Sequence, residues 1–298
     1  MTSATPASST ASLFHVRHDR REPGDVAESG QPLVLVHGLG SSGASWDRIV
    51  VPLARHREVV VVDLAGHGSS PDPATTTIAA LADSLERFLD EELLRHADLV
   101  GSSLGGRLVL EMVRRGHQGG VVALDPGGFW HRPGALYLGA TLGLSARLLR
   151  LVEPALPALC RNALARTVLL VQLSARPWRV SADDALAELQ RYARNDSFDG
   201  LLHDLVASPA QLGVSVVGRV PPLSIVWGRR DRVAPRRQAR RAVAAFPGAH
   251  LTYFERCGHF PQWDQPQRTV DHVLSATARV PQGPPAGSAD GDADGSDR

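Results

Sequence analysis

Residues 101–106 read Gly101-Ser102-Ser103-Leu104-Gly105-Gly106, "GSSLGG", directly after the apolar run Ala97-Asp98-Leu99-Val100 and directly before the apolar stretch "RLVLEMV" at 107–113. This order predicts a strand, a sharp turn and a helix, with a serine hydroxyl held at the tip of the turn. Only Ser103 has a glycine two residues before it, Gly101, and another two residues after it, Gly105. Those are the positions where side chains would collide in so tight a turn. Ser102 is then the neighbour on the strand side, and the following helix aims its first amides at the serine oxygen.

On either side of this stretch, short β-branched runs alternate with longer amphipathic ones, the pattern of a mostly parallel sheet with crossover helices. Strands are expected at 32–36, 58–63, 97–102, 120–125, 223–227 and 249–254, with "LFHVRH" near residue 15 as an outer strand. Helices are expected at 77–94, 104–115, 235–246 and 266–278. Between residues 131 and 209 no strand pattern appears, while amphipathic pieces such as "SADDALAELQRYARND" recur. The fold class is therefore α/β, a mostly parallel central sheet flanked by helices. Its core spans 13–130 and 210–280, and an inserted helical cap spans 131–209. The small polar residues 1–12 and the Pro, Gly and Asp-rich residues 281–298 read as disordered tails.

A serine hydroxyl is a weak nucleophile unless a histidine takes its proton and a carboxylate holds that histidine. On a turn of this kind the partners follow in the order acid, then histidine. "VWGRRDRVAP" puts Asp231 just past the strand ending at Trp227, and "FERCGHFPQWD" puts His259 just past the next strand. Both fall at the carboxyl edge of the sheet, where Ser103 already lies. An oxyanion needs two backbone amides: one from Leu104, the residue after the serine, and one from Leu39 in "HGLGSS", the loop after strand 32–36. His37 is expected to brace that loop.

The stretches "LVHGLGSSGASWDRIVVPLARHREVVVVDLAGHGSS", "GSSLGG", "WGRRDRVAP" and "CGHFPQWDQP" together resemble the α/β-hydrolase superfamily, in its branch of small capped hydrolases. The resemblance covers about residues 30–130 and 220–278 and leaves the insertion unmatched. It implies a serine hydrolase needing no cofactor, with Ser103, Asp231 and His259 as catalytic residues and the amides of Leu39 and Leu104 as the oxyanion hole. A carboxylic ester is the implied bond of a small, largely apolar substrate. Carbon-carbon bond hydrolysis or perhydrolysis on the same triad is the alternative, and a non-catalytic small-molecule receptor on the same fold is the alternative of another class. Epoxide hydrolases and haloalkane dehalogenases of this fold use aspartate where Ser103 stands, so the serine argues against both.

Other residues receive plainer readings. Asp125, ending "VVALD", is the rival for the acid role and otherwise a structural residue before the "PGG" turn. Asp264 reads as a surface or helix-capping residue, and His67 as a structural residue near the site. Phe129, Trp130, Phe260 and Trp263 sit beside strand ends, as core or as an apolar pocket wall. Cys160 and Cys257, the two cysteines, read as buried thiols. The twelve histidines form no metal-binding motif, so no metal is expected. All 32 basic residues are arginine, which excludes lysine chemistry. The net charge of +1 gives no overall pull toward nucleic acid. Without a signal or anchor pattern, the expectation is a cytoplasmic protein whose partner is a small-molecule substrate and neither a membrane nor a nucleic acid. The sequence does not fix the oligomeric state.

Overall fold

The computed structural model describes residues 12–19, 30–73, 75–214 and 222–278. Both expected tails, apart from Ser12, lie outside these residues. Seven strands form one sheet: β1 (His15–His18), β2 (Leu33–Val36), β3 (Val59–Val62), β4 (Asp98–Ser102), β5 (Val121–Leu124), β6 (Leu223–Gly228) and β7 (His250–Phe254). Their spatial order is β1-β3-β2-β4-β5-β6-β7. β1 runs antiparallel to β3 and every other pairing is parallel. All carboxyl ends except that of β1 therefore share one edge, and the loops leaving that edge are the ones that can build a site.

Alternate residues of each strand point to opposite faces, and both faces are apolar. In β2 and β3, Val34, Val36, Val60 and Val62 enter one core while Leu33, Leu35, Val59 and Val61 enter the other. The first core is covered by α2 (Ile78–Glu91), α3 (Leu104–Arg114) and α9 (Arg237–Ala245), and the second by α1 (Asp47–Ala54) and α11 (Pro266–Ala276). α1 is not among the helices expected from periodicity. Its β-branched run Ile49-Val50-Val51 and interior Pro52 disfavour a helix locally, and burial of Ile49, Val50 and Leu53 on the sheet overrides that preference. α2 stops three residues before the expected end, because Leu93 takes φ 60° in the turn that follows.

Between β5 and β6 the described chain is helical: α4 (Arg132–Leu151), α5 (Leu156–Arg161), α6 (Ala163–Leu170), α7 (Ala182–Arg194) and α8 (Phe198–Ala207). Its own apolar cluster, which includes Leu149, Leu156, Leu170 and Leu189, also takes in Phe260 and Trp263 from beyond β7. The helical segment is thus packed onto the carboxyl edge. Trp263 belongs to the short helix α10 (Pro261–Asp264).

The opposite edge is tied by a buried ion pair. Arg57 donates to Asp98 at 2.6 Å, to the Gln31 carbonyl at 3.1 Å and to the Thr277 hydroxyl, while Asp98 also accepts the Gly120 amide at 2.6 Å. Removing one member strands a buried charge, so Asp98→Ala is expected to cost about 3–5 kcal/mol in urea unfolding. A loss under about 1 kcal/mol would contradict this account of the edge.

Candidate active site

β4 ends at Ser102, and the chain turns at Ser103 with φ 57° and ψ −111°, outside the usual regions for a residue with a side chain. The turn is pinned from both sides. The Ser103 amide donates to the Leu124 carbonyl at 2.9 Å, and the Ser103 carbonyl accepts the amides of Arg107 and Gly127 at 3.0 and 3.1 Å. The flanking glycines are required sterically: a Cβ on Gly101 would stand 2.2 Å from the Gly105 carbonyl oxygen, and one on Gly105 would stand 2.1 Å from that of Val36. Ser102 is buried, and its hydroxyl accepts from Gln262 at 3.3 Å.

His259 and Asp231 arrive from the loops after β7 and β6. His259 Nδ1 donates to Asp231 Oδ2 at 2.8 Å, which leaves Nε2 to accept from the Ser103 hydroxyl, also at 2.8 Å. Asp231 Oδ1 accepts the amides of Val233 and Ala234 at 2.7 and 2.9 Å, so the carboxylate is fixed in place. The Phe260 ring lies 5.3 Å from the imidazole, centroid to centroid. Such an arrangement can take the serine proton, hold the resulting imidazolium and return the proton to a leaving group.

Asp125 stands behind this chain of bonds. It is fully buried at φ 44°, with Oδ1 accepting the Gly228 amide at 2.8 Å and Oδ2 without a partner among the described residues. Burial, and then the neighbouring Asp231, push its carboxyl well above the usual range, which favours its protonated, neutral form. Asp125, Asp231 and His259 bring donor atoms within 4.8 Å of one another, the spacing of a metal site. Asp231 and His259 already satisfy each other, however, and a neutral Asp125 is a poor ligand.

The loop after β2 passes directly over the serine. A Cβ on Gly38 would lie 3.2 Å from Ser103 Cβ, and Gly40 at φ 74° has no room for one beside Tyr192 and Phe198. The amides of Leu39 and Leu104 donate to no protein acceptor among the described residues. Two histidines brace the loop reciprocally. His37 accepts the Leu64 amide at Nε2, 3.0 Å, and donates from Nδ1 to the Gly38 carbonyl at 2.8 Å. His67 accepts the Gly40 amide at Nε2, 3.0 Å, and donates from Nδ1 to the Ala65 carbonyl at 3.1 Å. Beside Gly40 opens a cleft of about 720 Å³ whose walls include Ser41, His67, Arg191 and Asn195.

A family model described as an alpha/beta hydrolase family matches residues 33–272. The chain belongs to this family. It is accordingly a hydrolase by type. An uncharacterised protein of Mycobacterium tuberculosis is 30% identical over 276 residues, covering 87% of this chain and 79% of that protein. A 2-hydroxy-6-oxononadienedioate/2-hydroxy-6-oxononatrienedioate hydrolase of Paraburkholderia xenovorans is 27% identical over 255 residues, covering 82% and 86%. Among solved structures, the enol-lactonase from Burkholderia xenovorans superposes with a TM-score of 0.68 at 18% identity, covering 90% of this chain and 96% of its own. At that identity the likeness is one of fold.

In this hydrolase the structure brings Ser103, Asp231, His259, Leu39 and Leu104 together, and it splits the four aromatic residues into two groups, with Phe260 and Trp263 in ring contact at 5.2 Å. Phe129 packs against Phe246 in the first core, and Trp130 lies under the Arg107 guanidinium. Phe260 and Trp263 join His259 to the helical segment, and none of the four lines the described cleft. Asp264 corrects the surface reading. It is buried and accepts the Gly258 and Ala175 amides at 2.6 and 2.8 Å and the Ser174 hydroxyl, fastening the histidine loop to the helical segment. Glu188, unremarked in the sequence, accepts the Ser41 hydroxyl at 2.6 Å from inside α7. Only its place on the buried face of an amphipathic helix hints at this. Both cysteines are buried and free.

Burial lowers His37 from 6.5 to about 4 and His67 to about 3, so both are neutral in the folded chain. The unfolded chain binds more protons below 6.5, so stability from these two groups is complete above that pH and falls as pH drops toward 4. Urea midpoints are expected to decline across this window, with a shallower decline in His37→Gln/His67→Gln than in the parent. Equal slopes in the two proteins would contradict the neutral brace.

Proposed function

We propose that the chain is a cofactor-independent serine hydrolase that cleaves an ester-like bond of a small, largely apolar substrate through an acyl-enzyme. The observation that carries this reading is the unbroken run of bonds from the Ser103 hydroxyl through both nitrogens of His259 to Asp231, each 2.8 Å. Ser103 Oγ attacks the carbonyl carbon as His259 Nε2 takes its proton, and Asp231 stabilises the imidazolium. The amides of Leu39 and Leu104 receive the developing oxyanion. His259 then protonates the departing alkoxide. Water, deprotonated by the same nitrogen, adds to the acyl carbon, and collapse of that adduct frees the acid and restores the Ser103 hydroxyl.

A second reading keeps the same residues and cleaves a carbon-carbon bond. It is favoured by the Paraburkholderia relative, whose name describes a hydrolase of 2-hydroxy-6-oxononadienedioate. Product analysis on a diketone-type substrate separates the two. The test of the shared machinery is turnover of p-nitrophenyl esters of graded acyl length. Ser103→Ala is expected to abolish it, and Asp231→Asn to lower kcat about ten-thousand-fold. Asp125→Asn, which keeps a neutral group of the same shape beside Asp231, is expected to stay within about tenfold of the parent. Undiminished hydrolysis by Ser103→Ala would overturn the proposal. A larger loss in Asp125→Asn than in Asp231→Asn would move the acid role to Asp125.

A further inference from the structure

The stretch from Arg132 to Arg179 contains seven arginines and a single acid, Glu153. That is a local net charge of +6 in a chain whose formal total is +1, so the rest of the chain is net negative. Little of this charge is consumed internally. Arg150 pairs with Asp199 at 2.8 Å, and Glu153 is taken by Arg194 from α7. Arg161 and Arg166 donate to the backbone carbonyls of Pro157 and Cys160. Six of the seven arginines make no ion pair among the described residues.

The same segment exposes large apolar side chains in register. On α4, Tyr137, Leu144, Leu148 and Leu151 are each more than half exposed and recur at helical spacing along one side, and Arg147 lies among them. The opposite side of α4 is buried through Leu138, Ala146 and Leu149. On α6, Leu164 and Val168 are 76% and 67% exposed, and Val171 continues the stripe just past the helix. Arg161 ends α5, two residues before α6 begins. Trp178, 56% exposed, sits in a 3-10 turn packed against α6. The Ser145 hydroxyl on α4 donates to Gln172, just past α6, at 3.3 Å.

We propose that this face of the helical segment docks on an anionic phospholipid surface. Single exposed apolar residues are ordinary, but a contiguous set crossed by unpaired arginines is the composition of an interfacial helix. Guanidinium groups pair with lipid phosphates, while leucine, tyrosine and tryptophan enter the boundary between headgroups and acyl chains. A second copy of the chain is a poor occupant, because twofold docking would set two clusters of like charge against each other. The mode is attachment and not spanning. No single described helix is long and apolar enough to cross a membrane. α4 passes that test only jointly with Glu153–Arg161, across a 65° bend. This departs from the expectation of no membrane partner, which considered signals and spans but not the exposed side of the insertion.

The test is co-sedimentation of the full chain with vesicles of phosphatidylglycerol or of phosphatidylcholine, using Ser103→Ala so that lipid hydrolysis does not intervene. Binding of Ser103→Ala does not depend on the proposed chemistry, so the two readings fail separately. Binding to phosphatidylglycerol is expected, weakening with added salt and falling about fivefold for each engaged arginine lost. Leu164→Glu/Val168→Glu and Arg147→Glu/Arg161→Glu are each expected to release the protein from vesicles with unchanged thermal unfolding. Absence of binding to phosphatidylglycerol would overturn the proposal, as would equal binding to both lipids. So would a vesicle-free oligomer that the same variants dissociate, since it would make a second copy the occupant.

Discussion

Gly105 lies so close to the Val36 carbonyl that a Cβ would stand 2.1 Å from the oxygen, and this contact fixes where α3 leaves the sheet. With α3 held there and β4 in register between β2 and β5, the chain between them has too little length to turn in an ordinary conformation. Ser103 absorbs the difference at φ 57°. The strain is offset by three backbone hydrogen bonds on Ser103 itself and by burial of α3 along nearly its whole length. The hydroxyl consequently meets His259 at the carboxyl edge without rearrangement. The same close approach carries the loop after β2 over the serine, so the nucleophile and the candidate oxyanion amides share one steric origin.

Around that point the polar groups are held by neighbours of differing strength and charge. Asp231 is held by two amides and His259, whereas Asp125, a few ångströms away, has one oxygen without a partner among the described residues, and burial beside Asp231 favours its neutral form. The two histidines of the bracing pair are likewise neutral, each joining one donor and one acceptor of the backbone. Asp264 and Glu188 do for the helical segment what His37 and His67 do for the loop, fastening it to the edge through buried carboxylate bonds. Position over the edge is thus specified by polar contacts, and apolar packing supplies the bulk of the cohesion.

The sheet was legible in the sequence because valine-rich runs such as Val59–Val62 are buried on both faces and admit few other readings. The positions of Ser103, Asp231 and His259 were legible for a different reason: each follows a strand by only a few residues, so topology alone carries them to the same edge. Asp264 was misread because proximity to a helix start resembles capping, and only the fold shows Ala175 and Gly258 meeting there. α1 was invisible because its helix depends on what it packs against. The outer side of α4 was hidden too, since a run such as "LGLSARLLRL" has the same composition whether its leucines face a core or solvent.

The central claim is that the geometry at the end of β4 activates Ser103 and leaves its neighbour inert. It is tested most directly by reacting the purified chain with a fluorophosphonate and measuring the intact mass of the parent, Ser102→Ala and Ser103→Ala. One adduct in the parent and in Ser102→Ala, absent from Ser103→Ala, is the predicted result. A folded parent that takes no adduct, or a Ser103→Ala variant that still takes one, would contradict it.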